Sequence, residues 1–467
     1  MKVSKIKSTF IFEDVRLNAS YFLNEDALNS MKLELNRNRC ISLDQMANVW
    51  NPPIFKRQFC ERTNKSIPYC QSSDVANQLE GSDVYIYKEQ AIKVNSVVKE
   101  NQILVTGFGT IGNTRLVNEL SSGISYANNV CRIEASEKLP FGYIYAFLTS
   151  KYGRSQLNKN ASGSVVRYIE APGIKRTLIP ILSAEKQQKI HQLIVEASEL
   201  RVEANKLLKE SQRHLLRLLN IDNECEYELT KPLERDVSNI FSTKRSALSA
   251  NTLRSRNYSP RKLQIINVLK QNQYSRLKEV LSHEPFYGAR YKRIESFSEN
   301  SIMLLSQGDL FDRIPKGRSI SKSSVKNLSE EIVSKGSILV PAQGTLGENE
   351  IFGRAVFVWG YLEDTLVAGH AMRFIPNEEK IMTGYLFAVL NSPLWFRLFR
   401  NSVYGTNLLG FIVPLINELP IPRFSNEEEG NIDVLVKTAY DNLTLANLKE
   451  NQAIALIEKE IDLWQVS

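Results

Sequence analysis

The residues that could do chemistry begin with Gly107-Phe108-Gly109-Thr110-Ile111-Gly112, a literal G-x-G-x-x-G inside the stretch LVTGFGTIG. In such a loop the glycines let the backbone turn tightly and approach the phosphates of a bound dinucleotide. The pattern carries that meaning only when it closes a strand, opens a helix and is followed about 20 residues later by an acidic residue. Other reactive groups are sparse. His191, His214, His283 and His370 show no metal-ligand spacing. Cys40, Cys60, Cys70, Cys131 and Cys225 form no C-x-x-C pair, so neither a zinc site nor a disulfide framework is expected. G-x-S-x-G, P-loop and H-E-x-x-H patterns do not occur, and no carboxylate–lysine nuclease cluster stands out in a strand context.

The elements that must position the glycines decide their role, because the chain is written twice. SIPYCQSSDV (66–75) reappears 235 positions on as SIMLLSQGDL (301–310), and VVKENQILVTGFGTIG (97–112) falls on IVSKGSILVPAQGTLG (332–347) with no gap. Further along, 142–182 falls on 384–424 at a spacing of 242, with Gly142/Gly384, Tyr143/Tyr385, Gly163/Gly405 and Pro180/Pro422 coinciding. The second copy has Ala342 where the first has Gly107, so the glycine a dinucleotide turn needs is not kept. The two copies share a β-branched strand running into Gly-Thr-x-Gly, where glycine supplies positive φ or close backbone approach. No cofactor is expected there. Asn51-Pro52-Pro53-Ile54 mimics the N-P-P-aromatic loop with which adenine methylases hold a flipped base. Its fourth residue is not aromatic, the second copy reads Pro285-Phe286-Tyr287-Gly288, and the alternating strand–helix pattern of a cofactor-binding sheet is missing. A proline-rich loop is the reading.

Each copy ends in a long helical run. Residues 183–220 hold no Pro or Gly, and Ser183 can cap their start. Counting sevens gives one row of Ile190, Ala197, Ala204, Ser211 and Leu218, and a second row of Leu193, Leu200, Leu207 and His214. In the second run, 425–464, the first row becomes Ile432, Ala439, Ala446 and Ala453, the second row (Leu435, Asn442, Lys449) is poor, and a further stripe of Val436, Leu443, Ile454, Ile457, Ile461 and Trp464 is available to face something else. Small residues at one heptad position let two helix axes approach, which predicts an antiparallel pair. About 38 residues give a rod of roughly 57 Å. The expected division is a head over 1–182, a helix over 183–221, a connector over 222–251, a second head over 252–424 and a second helix over 425–467. The fold class is α+β: two mixed α/β heads with short strands, joined by two long antiparallel coiled-coil helices with pseudo-two-fold symmetry.

This order resembles the specificity subunit of type I restriction–modification enzymes. The resemblance rests on head–helix–head–helix, on RLNASYF (16–22) echoed by RSRNYSP (254–260), on G-T-[IL]-G after a strand, on GY[IL]xAxL, and on the Ile-Pro phrase before each helix. It implies that each head is a target recognition domain reading half of a bipartite DNA site. It also implies that the helices set the gap between the halves and dock two methyltransferase subunits, with a motor–nuclease subunit joining for cleavage. The subunit itself would make no bonds and need no cofactor or metal.

A net charge of +8 suits double-stranded DNA without identifying it. The absence of any run of about 18 apolar residues, and of an apolar region in MKVSKIKSTFIFEDV, leads to the expectation of a cytoplasmic chain with no membrane partner. Heads about 57 Å apart would span about 17 base pairs. The DNA-contact candidates are polar residues beside the repeated glycines. They are Thr110, Asn113, Arg115, Asn128, Asn129, Ser162, Ser164 and Arg167 in the first head. In the second they are Gln343, Thr345, Asn349, Arg354, His370, Tyr404, Thr406 and Asn407. Thr110 and Thr345, common to both copies, cannot by themselves distinguish two half-sites. The competing readings are a DNA adenine methyltransferase, which would bind S-adenosylmethionine alone, and a scaffold whose heads bind protein.

Overall fold

A computed structural model describes residues 24–78, 80–163, 167–231, 240–245, 248–289 and 292–464. The RLNASYF phrase at 16–22 and the candidate Ser164 lie outside them. The chain is mixed α/β with short strands. It divides into two compact units, residues 1–202 with 445–467, and residues 203–444.

In the first unit Ile103–Thr106 is a wholly buried β-branched strand, as a strand covered on both faces must be. It sits inside an antiparallel sheet ordered Ala47–Trp50, Val130–Ala135, Ile103–Thr106, Thr114–Leu116. A second sheet runs Phe59–Cys60, Tyr85–Tyr87, Ser66–Cys70, Ser125–Tyr126, the last pair parallel. Cys40–Ser42 pairs with Leu178–Pro180 and so brings the Ile-Pro phrase back to the start of the unit. Phe141–Thr149 is apolar on every side and nearly all buried, which makes it the core helix. The core joins Ile103, Val105, Ile133, Tyr143 and Phe147 to Ile190, Ile194, Ile457 and Ile461.

The second unit repeats most of this topology, with a single bridge at Glu295–Ile320 where the first has the edge strand Phe59–Cys60, and with an added hairpin of Val403–Tyr404 and Gly410–Phe411. Phe286–Tyr287, Ala371–Phe374, Ile338–Pro341 and Val356–Phe357 form the same antiparallel sheet. Ser301–Leu305 again lies between an antiparallel neighbour, Arg318–Ser321, and a parallel one, Leu366–Val367. Tyr274–Arg276 pairs with Pro420–Pro422. Small details repeat too. The Tyr143 hydroxyl donates to the Pro180 carbonyl at 2.7 Å, and Tyr385 does the same to Pro422 at 2.7 Å. The Gly142 N–H donates to His191 Nδ1 at 3.3 Å, and the Gly384 N–H donates to Asp433 Oδ1 at 2.7 Å. A Cβ on either glycine would lie under 3.0 Å from those partners, so glycine is what lets the core helix touch the long helix.

The long helices are Ala184–Leu218 and Asn426–Asp462. Of their expected first rows, Ile190, Ala197, Ala204 and Ser211 on one and Ile432, Ala439, Ala446 and Ala453 on the other are buried, while Leu218 is half-buried. The expected second row is corrected. Leu193, Leu200 and Leu207 are only half-buried. The buried second row comes four residues after the first, not three: Ile194, Arg201, Leu208 and Leu215, matched by Val436, Leu443, Glu450 and Ile457. A heptad contains both spacings, and the leucines three residues on pointed to the wrong one. Within the first unit, Lys186–Glu460 at 2.6 Å, Glu196–Lys449 at 2.6 Å and Arg201–Asn447 at 2.6 Å run in opposite sequence directions, so these helix segments lie antiparallel. In the second unit His214 Nε2 meets Glu428 Oε2 at 2.7 Å.

One buried cation stands out in the second unit. Lys262 sits in the first turn of the helix Pro260–Leu269, and burial pulls its ammonium down to about 8. The positive end of the helix dipole adds to the cost of a cation there. Below pH 8 the folded chain holds a proton at a site where water would be the better host. Between pH 8 and 10.5 the unfolded chain binds more protons than the folded one, so stability rises with pH. Lys262→Met is therefore expected to stabilise the unit by about 1–3 kcal/mol at pH 7. Denaturant melts should show this gain shrinking as the pH passes from 8 to 10.5.

Candidate nucleic-acid interface

In the first unit the Gly107–Gly112 turn is held by backbone rather than by a ligand. The Gly107 N–H donates to the Asn129 carbonyl at 2.9 Å, and its carbonyl accepts from the Ile169 N–H at 2.8 Å. A Cβ on Gly107 would sit 2.3 Å from the Ile169 carbonyl oxygen. Gly109 and Gly112 have φ of 74° and 81°, left-handed conformations that favour glycine. The strand is followed by turn and another strand, not by a helix, so the dinucleotide geometry is missing. The decoy at Asn51 resolves similarly. Its amide donates to the Asn128 carbonyl at 3.0 Å and its Oδ1 accepts from the Ala171 N–H at 2.9 Å. Both ends of that side chain staple loops together, leaving nothing to grip a substrate amine.

These bonds gather the segments 107–113, 126–129, 167–171 and 51–58 into one cluster. The Phe108 ring stacks on Tyr168 at 5.4 Å, and Ser162 pairs with Tyr168 through the backbone. Thr110, Ser162 and Arg167 are exposed there, while Asn113, Asn128 and Asn129 are half-buried. Asn129 reaches Ser72 Oγ at 3.4 Å, and the Arg167 guanidinium bonds to the Asn158 carbonyl. Arg115 is a correction. It is 1% exposed, pairs with Glu80 at 2.6 Å and donates to the carbonyls of Val75 and Asn77. A guanidinium so enclosed ties the strand Thr114–Leu116 to Val75, Asn77 and Glu80 and cannot reach a base. Arg132, also buried, likewise donates to the carbonyls of Ser96, Tyr126 and Ala127.

In the second unit the loop 342–349 meets the hairpin Val403–Tyr404 with Gly410–Phe411, where the Leu409 N–H donates to the Gly344 carbonyl at 3.1 Å. The Ala342 N–H donates to the His370 carbonyl at 2.9 Å, the counterpart of the Gly107 bond. Neither Gly344 nor Gly347 has positive φ. Buried Arg400, its guanidinium pulled down to about 10 by burial, holds the loop by donating to the carbonyls of Leu346, Gly347, Glu350 and Phe352. Arg354 is used in the same way: it bonds the Glu348 and Glu350 carbonyls and lies 4.7 Å over the Phe396 ring. Thr345, Asn349, Tyr404, Thr406 and Asn407 are exposed, and Gln343 and His370 are half-buried. A cleft of about 550 Å³ opens between Leu253, Arg254 and Tyr404, with Arg254 donating to the Gly405 carbonyl at 2.8 Å.

The structure adds a surface that the glycine-centred reading missed. Pro52 is buried, and Gln90 bonds both the Lys56 carbonyl and the Gln58 N–H, so the arm 53–58 is pinned at both ends. It displays Ile54, 88% exposed, and leads into exposed Phe59. Lys56, Arg57, Arg62, Lys65, Lys88 and Lys93 are all exposed around it, and no described acid lies within salt-bridge distance of any of them. The second unit has the equivalent arm beside Arg318–Ser321, bridged at Glu295–Ile320, with Lys292, Arg293 and a 90% exposed Phe297. Basic residues interleaved with exposed apolar ones were visible in sequence as KRQFCERTNK, but no repeated glycine marks them.

Among the described residues no cluster of three or more His, Cys, Asp or Glu is placed to hold a metal ion, and no helix is long and apolar enough to cross a membrane. Burial pushes the thiols of Cys40, Cys70 and Cys131 up to about 12, so none is a ready thiolate nucleophile.

The chain is 22% identical over 372 residues to the type I restriction enzyme MjaVIII specificity subunit of Methanocaldococcus jannaschii, covering 78% of each. Among solved structures it is similar to the type I restriction–modification S subunit of M. genitalium, at 14% identity, covering 92% of this chain and 97% of that one with a TM-score of 0.37. It is also similar to the HsdS subunit of Thermoanaerobacter tengcongensis, at 13% identity, covering 91% and 95% with a TM-score of 0.27. Residues 39–210, which run from the first strand through most of the first long helix, match the family described as type I restriction modification DNA specificity domain.

Proposed function

We propose that each unit reads one half of a bipartite, asymmetric DNA site. The carrying observation is one core topology built twice with different side chains on corresponding exposed loops: Ser162 and Arg167 in one unit, Asn349, Tyr404, Thr406 and Asn407 in the other. Two frames that present different donors and acceptors read different base edges. The basic arms supply sequence-independent phosphate contact beside those loops. The division into heads at 1–182 and 252–424, joined by two coiled-coil helices that set the gap, is part of the same reading, and so are the docking of two methyltransferase subunits on the helices and the joining of a motor–nuclease subunit for cleavage. The chain contributes recognition and no bond-making step, and it works in the cytoplasm where the chromosome lies.

The test is exchange of the first head for that of a relative, in cells carrying the partner methylase, followed by methylome sequencing. One half of the methylated motif is expected to change while the other half and the gap stay. A motif altered in both halves would contradict independent reading.

A further inference from the structure

The C-terminal half of the second long helix belongs to the first compact unit, and polar side chains hold it there. The Tyr145 hydroxyl donates to Glu450 Oε1 at 2.5 Å, and Arg201 Nη2 lies 2.9 Å from Glu450 Oε2 and 2.6 Å from Asn447 Oδ1. Arg201 is 5% and Glu450 2% exposed. The Lys151 N–H donates to Glu458 Oε1 at 2.7 Å, its ammonium lies 3.0 Å from Asp462, and the Tyr152 hydroxyl also bonds Asp462.

Apart from Asn447, whose counterpart is buried Asn205, none of these groups recurs in the second unit. At the repeat spacing of 242, Tyr145, Lys151, Tyr152 and Arg201 correspond to Phe387, Pro393, Leu394 and Leu443. The acids Glu450, Glu458 and Asp462 correspond to Leu208, Leu216 and Asn220 at the end of the first long helix. Phe387, Leu394, Leu443 and Leu208 are buried together in the core of the second unit, and Leu216 packs against it. Seven corresponding positions have thus changed in concert, the docking surface and the helix it receives alike.

We infer that the two docking surfaces are mutually exclusive in what they accept. The first unit selects the acid-bearing C-terminal helix of this chain, the second unit selects the leucine-bearing end of the first long helix, and neither half is built to pair with a second copy of itself. In a like-with-like pair Arg201 would face Leu208, and the Tyr145 hydroxyl would lose its carboxylate. A buried charge without its partner is the costliest mismatch a seam can carry, whereas an all-apolar layer of similar volume is well tolerated. The polar layer therefore supplies choice of partner more than strength. This goes beyond the DNA reading and does not depend on it.

Hydrogen–deuterium exchange on the full-length chain tests it. Glu450→Leu, which brings the first helix's residue to the first unit, is expected to reduce protection of 445–462 at least tenfold. Tyr145→Phe with Arg201→Leu should do the same from the other side. All three changes together should restore protection to within about threefold, because the second unit already packs that combination. Reciprocally, Leu208→Glu should release 203–218, and adding Phe387→Tyr with Leu443→Arg should recapture it. Unchanged protection in either partial variant would overturn the inference. So would failure of the triple variant to fold or to regain protection, because the layer would then be a support and not a selector.

Discussion

Gly107→Ala is expected to lower the unfolding free energy of the first unit by about 3–5 kcal/mol, a large loss for one methyl group. The added Cβ would sit 2.3 Å from the Ile169 carbonyl oxygen and 3.0 Å from that of Asn129. The chain must then separate by about an ångström, which breaks both backbone bonds that gather the loop cluster and leaves buried polar groups unpaired. The second unit shows why the position can be alanine elsewhere. Ala342 keeps the bond to the His370 carbonyl, but the returning hairpin there meets the loop at Gly344, two residues further on. Gly109→Ala is the control. Its Cβ would meet nothing within 4 Å, and the cost is only that of a left-handed alanine, about 1–2 kcal/mol. Denaturant melts of both variants, with hydrogen exchange over 103–113 and 126–133, give the ranking. If Gly107→Ala were tolerated as well as Gly109→Ala, the close backbone approach would not be the reason for the glycine.

The duplication was legible because fold-determining residues recur at constant spacing. Tyr143 and Tyr385, Gly142 and Gly384, and the buried strands Ile103–Thr106 and Ile338–Pro341 each do one job twice. The seam of the long helices was only half legible. The alanine row announced itself, and so did the stripe of Val436, Leu443 and Ile457, but Arg201 and Glu450 interrupt the second row, and a charged residue at a core position breaks its apolar period. The interface was the least legible part. Arg115, Arg354 and Asn51 have the chemistry of DNA or base contacts, yet each is used up by the carbonyls and amides of its own loops. Loops without regular structure must satisfy their backbone groups somehow, and long polar side chains beside glycines are what does it here. Residue type alone does not separate such internal partners from outward-facing ones; burial does.

That distinction points to the basic arm of the first unit for the second large effect. Replacing Lys56, Arg62, Lys65 and Lys88 together by alanine is expected to weaken binding to duplex DNA on the order of 10²–10³-fold near 0.15 M salt. The slope of log affinity against log salt should fall in magnitude by about 3–4, since each cation that neutralises a phosphate releases about 0.9 counterion. The fold should be unaffected, because the four side chains are exposed and form no described ion pair. Thermal melts provide that check. The loss should be similar on specific and random duplex, because phosphate contacts position the protein without reading bases. Substitution of exposed loop residues such as Thr406 and Asn407 should instead spare the salt slope and narrow the gap between specific and random DNA. An unchanged salt slope in the four-alanine variant would rule out the arm as the phosphate contact. The glycine loops would not inherit that role easily: of the three cationic candidates beside them, Arg115, Arg167 and Arg354, each donates to a backbone carbonyl of its own unit.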